Sequence, residues 1–185
     1  YFFLEMNTRV QVEHCVTEMV SGIDIVREQV LVAAGEPLSV AQEDVDLRGW
    51  AIECRINAEA AHKKFAPAPG AITTYREPAG PGVRVDSGVE AGSEVTPMYD
   101  PMVAKLIVWD VDREHATRRM LRALGEYEVG GLTTLIPFHQ AILATEQVLE
   151  RSRRRFELHG RPFLMKGKER PVTGYSVGAP LETRE

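Results

Sequence analysis

Cysteine is scarce: Cys15 and Cys54 are the only two in 185 residues. That is too few for a disulfide scaffold or a cysteine-built zinc centre. It makes a reducing, cytoplasmic setting the expectation. No apolar run is long enough to span a bilayer, so no membrane role is expected. Positive charge is not in excess either. The formal net charge is −5, and basic residues cluster only at 151–155 (RSRRR), which gives no reason to expect a nucleic-acid partner. His62, His115, His139 and His159 lack the spacing of metal ligands and read as surface or helix residues. Gly80-x-Gly82 is a turn without the helix that a phosphate-binding loop needs. Internal repeats and low-complexity tracts are missing as well. What is left is an ordinary globular composition, 44% hydrophobic and 26% charged, in a chain long enough to bury a core.

The pattern within that composition is informative. In YFFLEMNTRVQVEH, Glu5, Asn7, Arg9, Gln11 and Glu13 alternate with Leu4, Met6, Thr8, Val10 and Val12. Alternation of this kind predicts a strand over roughly 2–12, with a polar face of carboxylate, amide, guanidinium, amide and carboxylate. Ser21 with Asp24 looks like a capping box for a helix whose apolar face is Ile23, Val26, Val30 and Ala33, ended by Gly35 and Pro37. Residues 36–48 read as a polar connection. GWAIECRINAE alternates again, with Trp50, Ile52, Cys54 and Ile56 on one face and Ala51, Glu53, Arg55, Asn57 and Glu59 on the other. Short β-prone runs follow: AITTYRE, VRVDSG and MVAKLIVWD. Asp112 is placed to cap a helix running to about Tyr127, with Ala116, Met120, Ala123 and Leu124 on one face. Gly130-Gly131 breaks the chain, and a further helix is expected from about Pro137 to Arg151. After about 156 the periodicity weakens and only partial order is expected. The class is α+β: a strand–helix piece, then a mostly antiparallel sheet with helices packed on it toward the C-terminal end.

A carboxylate and an amide oxygen two residues apart on a strand project together, ~6–7 Å apart. Glu5 and Asn7 thus suit a hard cation such as Mg²⁺ that keeps waters and phosphate oxygens as further ligands. Arg9 offers a planar fork for a small oxyanion, Gln11 can orient it, and Glu13 is a candidate general base. His14 is either an acid/base group or hydrogen-bonded structure. The same face is also compatible with a solvated strand carrying cross-strand ion pairs. On pattern alone Arg55 reads as an ion-paired structural arginine. Cys54 reads as a small buried hydrophobe, and Cys15 is not a nucleophile, having no base beyond its neighbour His14.

These residues carry a resemblance. EMNTRVQVEH with VTEMVSGIDIVREQ, then AIECRINAE, the PAPG turn and YDPMVAKLIV resemble the C-terminal part of biotin carboxylase, over residues 1 to about 155. This is the ATP-grasp component of acetyl-CoA, propionyl-CoA and pyruvate carboxylases. The resemblance implies three parts: the end of an ATP-grasp domain at 1–46, a biotin carboxylase C-terminal domain at 47–155, and a partly ordered tail at 156–185. It implies a ligase that uses MgATP (or Mn²⁺) and bicarbonate to carboxylate the biotin of a carrier protein. Glu5 and Asn7 then belong to the metal site. Arg9, Glu13 and Arg55 are catalytic: Glu13 as the base for bicarbonate, Arg9 and Arg55 holding bicarbonate and the biotin enolate. Gln11, Val12 and Arg55 bind substrate. The implied partners are the N-terminal and lid portions of the same enzyme, a biotin carboxyl carrier, a carboxyltransferase component and a second copy of the chain. Arg84 and Asp100 match positions near that dimer contact. Because the ATP-gripping portions have no counterpart in this sequence, the chain alone is expected to be inactive, its first strand incomplete at the edge.

Two departures stand out. Cys15 occupies a position where the family usually has proline, and AEAAHKKFAPAPG replaces the more usual Asp-Pro-containing loop. Lys166 lies in LMKGK, without the setting of a biotinylated lysine. Two alternatives remain open from the residues alone: another ATP-grasp ligase of the carbamoyl-phosphate or glycinamide-ribonucleotide type, and a non-catalytic dimerisation or docking module.

Overall fold

A computed structural model describes residues 2–153, 156–163 and 172–180. It falls into two compact units, Tyr1–Gln140 and Ala141–Glu185.

In the first unit, residues 2–12 form no strand, which corrects the expectation from alternation. Leu4 is 91% exposed and Met6 73%, so the supposed core face faces solvent. A strand is stable only with a hydrogen-bonded neighbour, and among the described residues none pairs with this segment. A helix that the sequence reading missed follows, α1 (His14–Ser21), ended by Gly22 in the left-handed conformation. Helix α2 (Ile25–Ala33) starts at Asp24, whose carboxylate accepts the Arg27 N–H at 2.8 Å. The cap is therefore Asp24 rather than Ser21. Ser21 closes α1, where its hydroxyl donates to the Thr17 carbonyl at 2.6 Å.

The main sheet is β1 (Trp50–Asn57), β6 (Val83–Ser87) and β8 (Met102–Asp110), antiparallel in the order β1-β8-β6. Three short ladders accompany it in this unit. Glu59–Ala60 (β2) pairs with Ala66–Pro67 (β3), and Gly70–Ala71 (β4) with Glu94–Val95 (β7). Thr74–Arg76 (β5) pairs with Glu128–Gly130 (β9). AITTYRE is thus two short strands, not one. Gly131 packs against the backbone between them with φ +94°, and a Cβ there would come within 2.2 Å of the Ala71 carbonyl, so only glycine fits this close crossing.

Strand β8 is buried along Val103, Ala104, Leu106, Ile107 and Val108. Burial of both even and odd positions means both faces are covered. Helix α3 (Arg113–Glu126) covers one: Arg119 bonds Asp110 at 2.6 Å, and Ala116, Met120, Ala123 and Leu124 are buried, as their spacing predicted. Cys54 and Ile56 share that face and are buried with them. Asp112 caps α3 as expected, accepting the His115 N–H at 2.9 Å. Helix α1 packs on the other face of β1 and β8. That face carries Glu53, Arg55, Lys105 and Asp86, brought side by side by the register Arg55↔Lys105 and Lys105↔Asp86.

Helix α4 (Ile136–Arg153) matches the expected C-terminal helix within two residues at either end. In the second unit, Phe156–Phe163 (β10) and Val172–Pro180 (β11) form an antiparallel pair. The tail is more regular than its weak periodicity suggested, because a hairpin needs pairing partners rather than amphipathic alternation. Lys166 lies outside the described residues.

Candidate functional site

The turn between the opening segment and α1 brings candidate residues together. Glu13 stands at the N-cap position of α1, yet its side chain does not cap the helix. It turns instead to Arg55 on β1, making an ion pair with the Nη2 group. Both partners are about half exposed, at 56% for Glu13 and 45% for Arg55. The Glu13 carboxyl sits below its ordinary pKa, first through a hydrogen bond from its own backbone N–H and then through the positive charges of Arg55 and Arg9. Glu13 is therefore ionised at neutral pH. A cleft of about 310 Å³ lies beside it, lined by Arg9, Gln11, Glu13 and His14 together with Ile25 and Gln29 of α2. The Glu13 carboxylate, the Arg9 guanidinium and the amides of Gln11 and Gln29 thus line one open concavity, with Arg55 paired to that carboxylate, an arrangement suited to a small oxyanion.

His14 donates through Nδ1 to the Gln11 carbonyl at 2.8 Å, since a carbonyl only accepts. This supports its hydrogen-bonded, structural reading. Behind the turn lies a buried ionic cluster that the sequence reading missed. Cys15 is fully buried; its thiol donates to Asp86 Oδ2 at 3.1 Å, and Lys105 Nζ lies 2.8 Å from the sulfur. Lys105 also donates to the Val12 carbonyl at 3.2 Å. Arg84 forks onto Asp86 at 2.7 and 2.9 Å and reaches Glu18 of α1 at 2.6 Å. Burial opposes the charge on Asp86, but Arg84 and Cys15 outweigh it and hold the carboxyl down at about 2. One signal could have exposed this cluster: Lys105 is the sole charge inside the apolar run MVAKLIV. His14, Cys15 and Glu18 hold ligand atoms within 4.8 Å of one another, near the spacing of a metal centre. Lys105 and Arg84 already fill that space with positive charge, so the cluster is a salt-bridge core rather than a cation site.

The other candidates are placed differently. Glu5 and Asn7 are exposed in the segment before the turn. Val12 is half-buried, its carbonyl held by Lys105. Arg84 has a ready-made intramolecular role in the cluster, with 31% of its side chain still exposed. Asp100 lies on an exposed turn, where its carboxylate accepts the Met102 N–H at 2.8 Å. Cys54 behaves as the small buried hydrophobe expected, its thiol pushed up to about 12 by burial and by Glu53. Glu53 is pushed upward as well by burial, and its Oε2 is buried without a hydrogen-bond partner. His139 bonds the Arg55 carbonyl at 2.9 Å and steadies that end of β1.

Residues 53–154 match the model of the biotin carboxylase C-terminal domain family. The chain belongs to this family. Residues 1–41 match the ATP-binding domain of the carbamoyl-phosphate synthase large chain. Among curated proteins, the chain is 56% identical over 159 residues to a pyruvate carboxylase subunit from Methanothermobacter thermautotrophicus, covering 86% of this chain and 31% of that protein. It is 54% identical over 146 residues to biotin carboxylase 1 of Bacillus subtilis, covering 79% of this chain and 32% of that protein. Among solved structures, it is similar to the biotin carboxylase domain dimer of Hydrogenobacter thermophilus 2-oxoglutarate carboxylase, which was crystallised with MgADP, ADP and bicarbonate. The TM-score is 0.78 and the identity 49%, over 80% of this chain and 33% of that one. The chain thus spans about a third of the length of the curated relatives it matches. The family assignment bears out both the resemblance read from the motifs and the α+β class. No helix among the described residues is long and apolar enough to cross a membrane.

Proposed function

We propose that this chain is the portion of a biotin carboxylase that activates bicarbonate and faces biotin. Joined to the remaining two thirds of such an enzyme, it takes part in the MgATP- and bicarbonate-dependent carboxylation of the biotin of a carrier protein. The observation that carries this reading is the Glu13–Arg55 ion pair, whose carboxylate lines a cleft together with Arg9 and Gln11. Glu13, ionised and open to the cleft, takes the bicarbonate proton. Arg9 and Arg55 hold the negative charge on bicarbonate and then on the biotin enolate, and Gln11 and the Val12 backbone position the oxyanion. Arg55 is thereby a functional arginine rather than the structural one its strand pattern suggested.

Glu5 and Asn7 supply a carboxylate and an amide oxygen, a donor set that fits Mg²⁺ or Mn²⁺ retaining waters and phosphate oxygens. A metal held by Glu5 and Asn7 would neutralise charge on the ATP phosphates. The division at 46/47 is part of the proposal, supported by family matches that end at 41 and resume at 53. The expected cytoplasmic setting is supported by two free cysteines. A carboxyltransferase component completes the set of expected partners.

A homodimer belongs to the same reading, supported by the dimeric Hydrogenobacter relative. The exposed part of Arg84 and the Asp100 turn are its candidate contacts. Sedimentation should show a concentration-dependent dimer, and a monomer at every concentration would remove it.

The carbamoyl-phosphate type of ATP-grasp ligase is the second reading, favoured only by the match over residues 1–41. The match over 53–154, which contains Arg55, weighs against it. The deciding experiment measures bicarbonate- and biotin-dependent ADP release from MgATP, first with this chain alone and then with it joined to the N-terminal two thirds of the Bacillus subtilis relative. The chain alone should be inactive and the joined enzyme active. Activity in the chain alone would overturn the reading, and an inactive joined enzyme would leave the docking-module alternative in its place.

A further inference from the structure

Glu13 is more than half exposed, so side-chain packing does not hold it where a base must stand. Something must fix its backbone. We infer that Lys105 is a positioning residue that holds the Val12–Glu13 peptide, and through it the Glu13 carboxylate, against Arg55 at the mouth of the cleft. This deepens the reading above and rests on it.

The Val12 carbonyl that accepts from Lys105 Nζ at 3.2 Å belongs to the peptide unit whose N–H is that of Glu13. Peptide planarity makes anchoring the oxygen equivalent to orienting the Glu13 N–H. Fixing that peptide fixes the Cα from which the Glu13 side chain reaches Arg55, so the anchor sets where the carboxylate stands. Lys105 is itself well held. Its side chain is 11% exposed, and an ammonium this buried is tolerated only when its donors are satisfied. It donates to the Val12 carbonyl and to the Cys15 sulfur at 2.8 Å, and its charge is paired with Asp86 Oδ2 at 3.4 Å. Asp86 is pinned in turn by the Arg84 fork, and Arg84 reaches Glu18 on α1, the helix that follows Glu13. The ring closes from the turn to β8, β6, α1 and back to the turn.

Cys15 completes the ring. Its sulfur accepts from Lys105 while its hydrogen goes to Asp86. A proline at this position would offer Lys105 no side-chain acceptor. Here the thiol draws the ammonium into the turn, three residues beyond the carbonyl it anchors.

The test uses the enzyme made by joining this chain to the N-terminal two thirds of the Bacillus subtilis relative, with Lys105→Met and Lys105→Arg. Methionine keeps the stem and loses the donors; Asp86 keeps its two bonds to Arg84, so the fold persists. Lys105→Met should lower kcat for bicarbonate-dependent ADP release by about 30- to 100-fold, the scale of a misplaced reacting group, with the KM for ATP within about twofold. Lys105→Arg should recover most of that loss. Amide exchange at 12–15 should quicken in the methionine variant while that of α3 stays unchanged, a readout that needs no activity. Wild-type kcat with unchanged exchange at 12–15 in Lys105→Met would overturn the inference. So would equal losses in both variants with faster exchange throughout the sheet, since that would mark a purely structural lysine. A joined wild-type enzyme that releases no ADP would instead overturn the functional reading, and the exchange data would still decide whether Lys105 anchors the turn.

Discussion

Glu13→Gln in the joined enzyme is expected to cut bicarbonate-dependent ADP release by about 100- to 10,000-fold, the usual contribution of a positioned base. Glutamine is the informative replacement. It has nearly the same shape and still offers Arg55 an oxygen, so the ion pair becomes a neutral hydrogen bond rather than a gap. What it cannot do is take a proton. The KM for ATP should hold, since Glu13 lines the bicarbonate cleft. The pH profile gives an independent check. Glu13 must be unprotonated to act, and its carboxyl lies below its ordinary pKa. The acid limb belonging to this group therefore falls below the ordinary carboxylate range, and above that range Glu13 imposes no loss. A Glu13→Gln enzyme within threefold of wild type would show that another group takes the proton. Glu53, half-buried and pushed toward its neutral form, would be the first to examine.

What could be read from the sequence divides along physical lines. Where a side chain's fate depends on local periodicity, the reading held. The α3 face of Ala116, Met120, Ala123 and Leu124 is buried, and Asp112 caps that helix through its own carboxylate. The alternation in β1 placed Cys54 inside and Arg55 outside correctly. Where the outcome depends on a neighbour distant in the chain, it failed. Alternation over 2–12 is a necessary sign of a half-buried strand, but the segment has no pairing edge among the described residues. Helix α1 was missed because HCVTEMVS is short and mixed in propensity; it is stabilised by packing on β1 and β8 instead. The site shows the same division. Glu13 and Arg9 were visible as a charged pattern, but the pairing of Glu13 with Arg55 spans 42 positions and comes from the fold alone. Cys15 looked isolated because its partners, Lys105 and Asp86, arrive on β8 and β6 through strand register.

Arg84→Met should produce the largest stability loss of any single change in the ionic cluster, and the loss should depend on pH in a defined direction. Arg84 is the one guanidinium shared by Glu18 and Asp86, and the Glu18 side chain is only 8% exposed. Methionine fills part of the space but leaves two carboxylates facing each other. Asp86 then keeps only the Lys105 ammonium at 3.4 Å and the Cys15 thiol. Removing one partner from a buried pair costs about 3–5 kcal/mol, and partial exposure of Arg84 places this case near the lower end. The Asp86 carboxyl titrates at about 2 in the fold against 3.8 for the free side chain. A depressed carboxyl stabilises the fold fully above the unfolded value, and that stability is lost as pH falls toward the folded one. The shift is worth at most about 2.5 kcal/mol. The gap between wild type and Arg84→Met in urea unfolding should therefore be widest and flat from pH 5 to 8. It should narrow as pH falls from about 4 toward 2, because the wild type loses there what the variant never had. An equal gap at pH 7 and pH 3, or less than about 1 kcal/mol at pH 7, would mean that Arg84 is a solvated surface arginine and that α1 is held to the sheet by its apolar contacts alone.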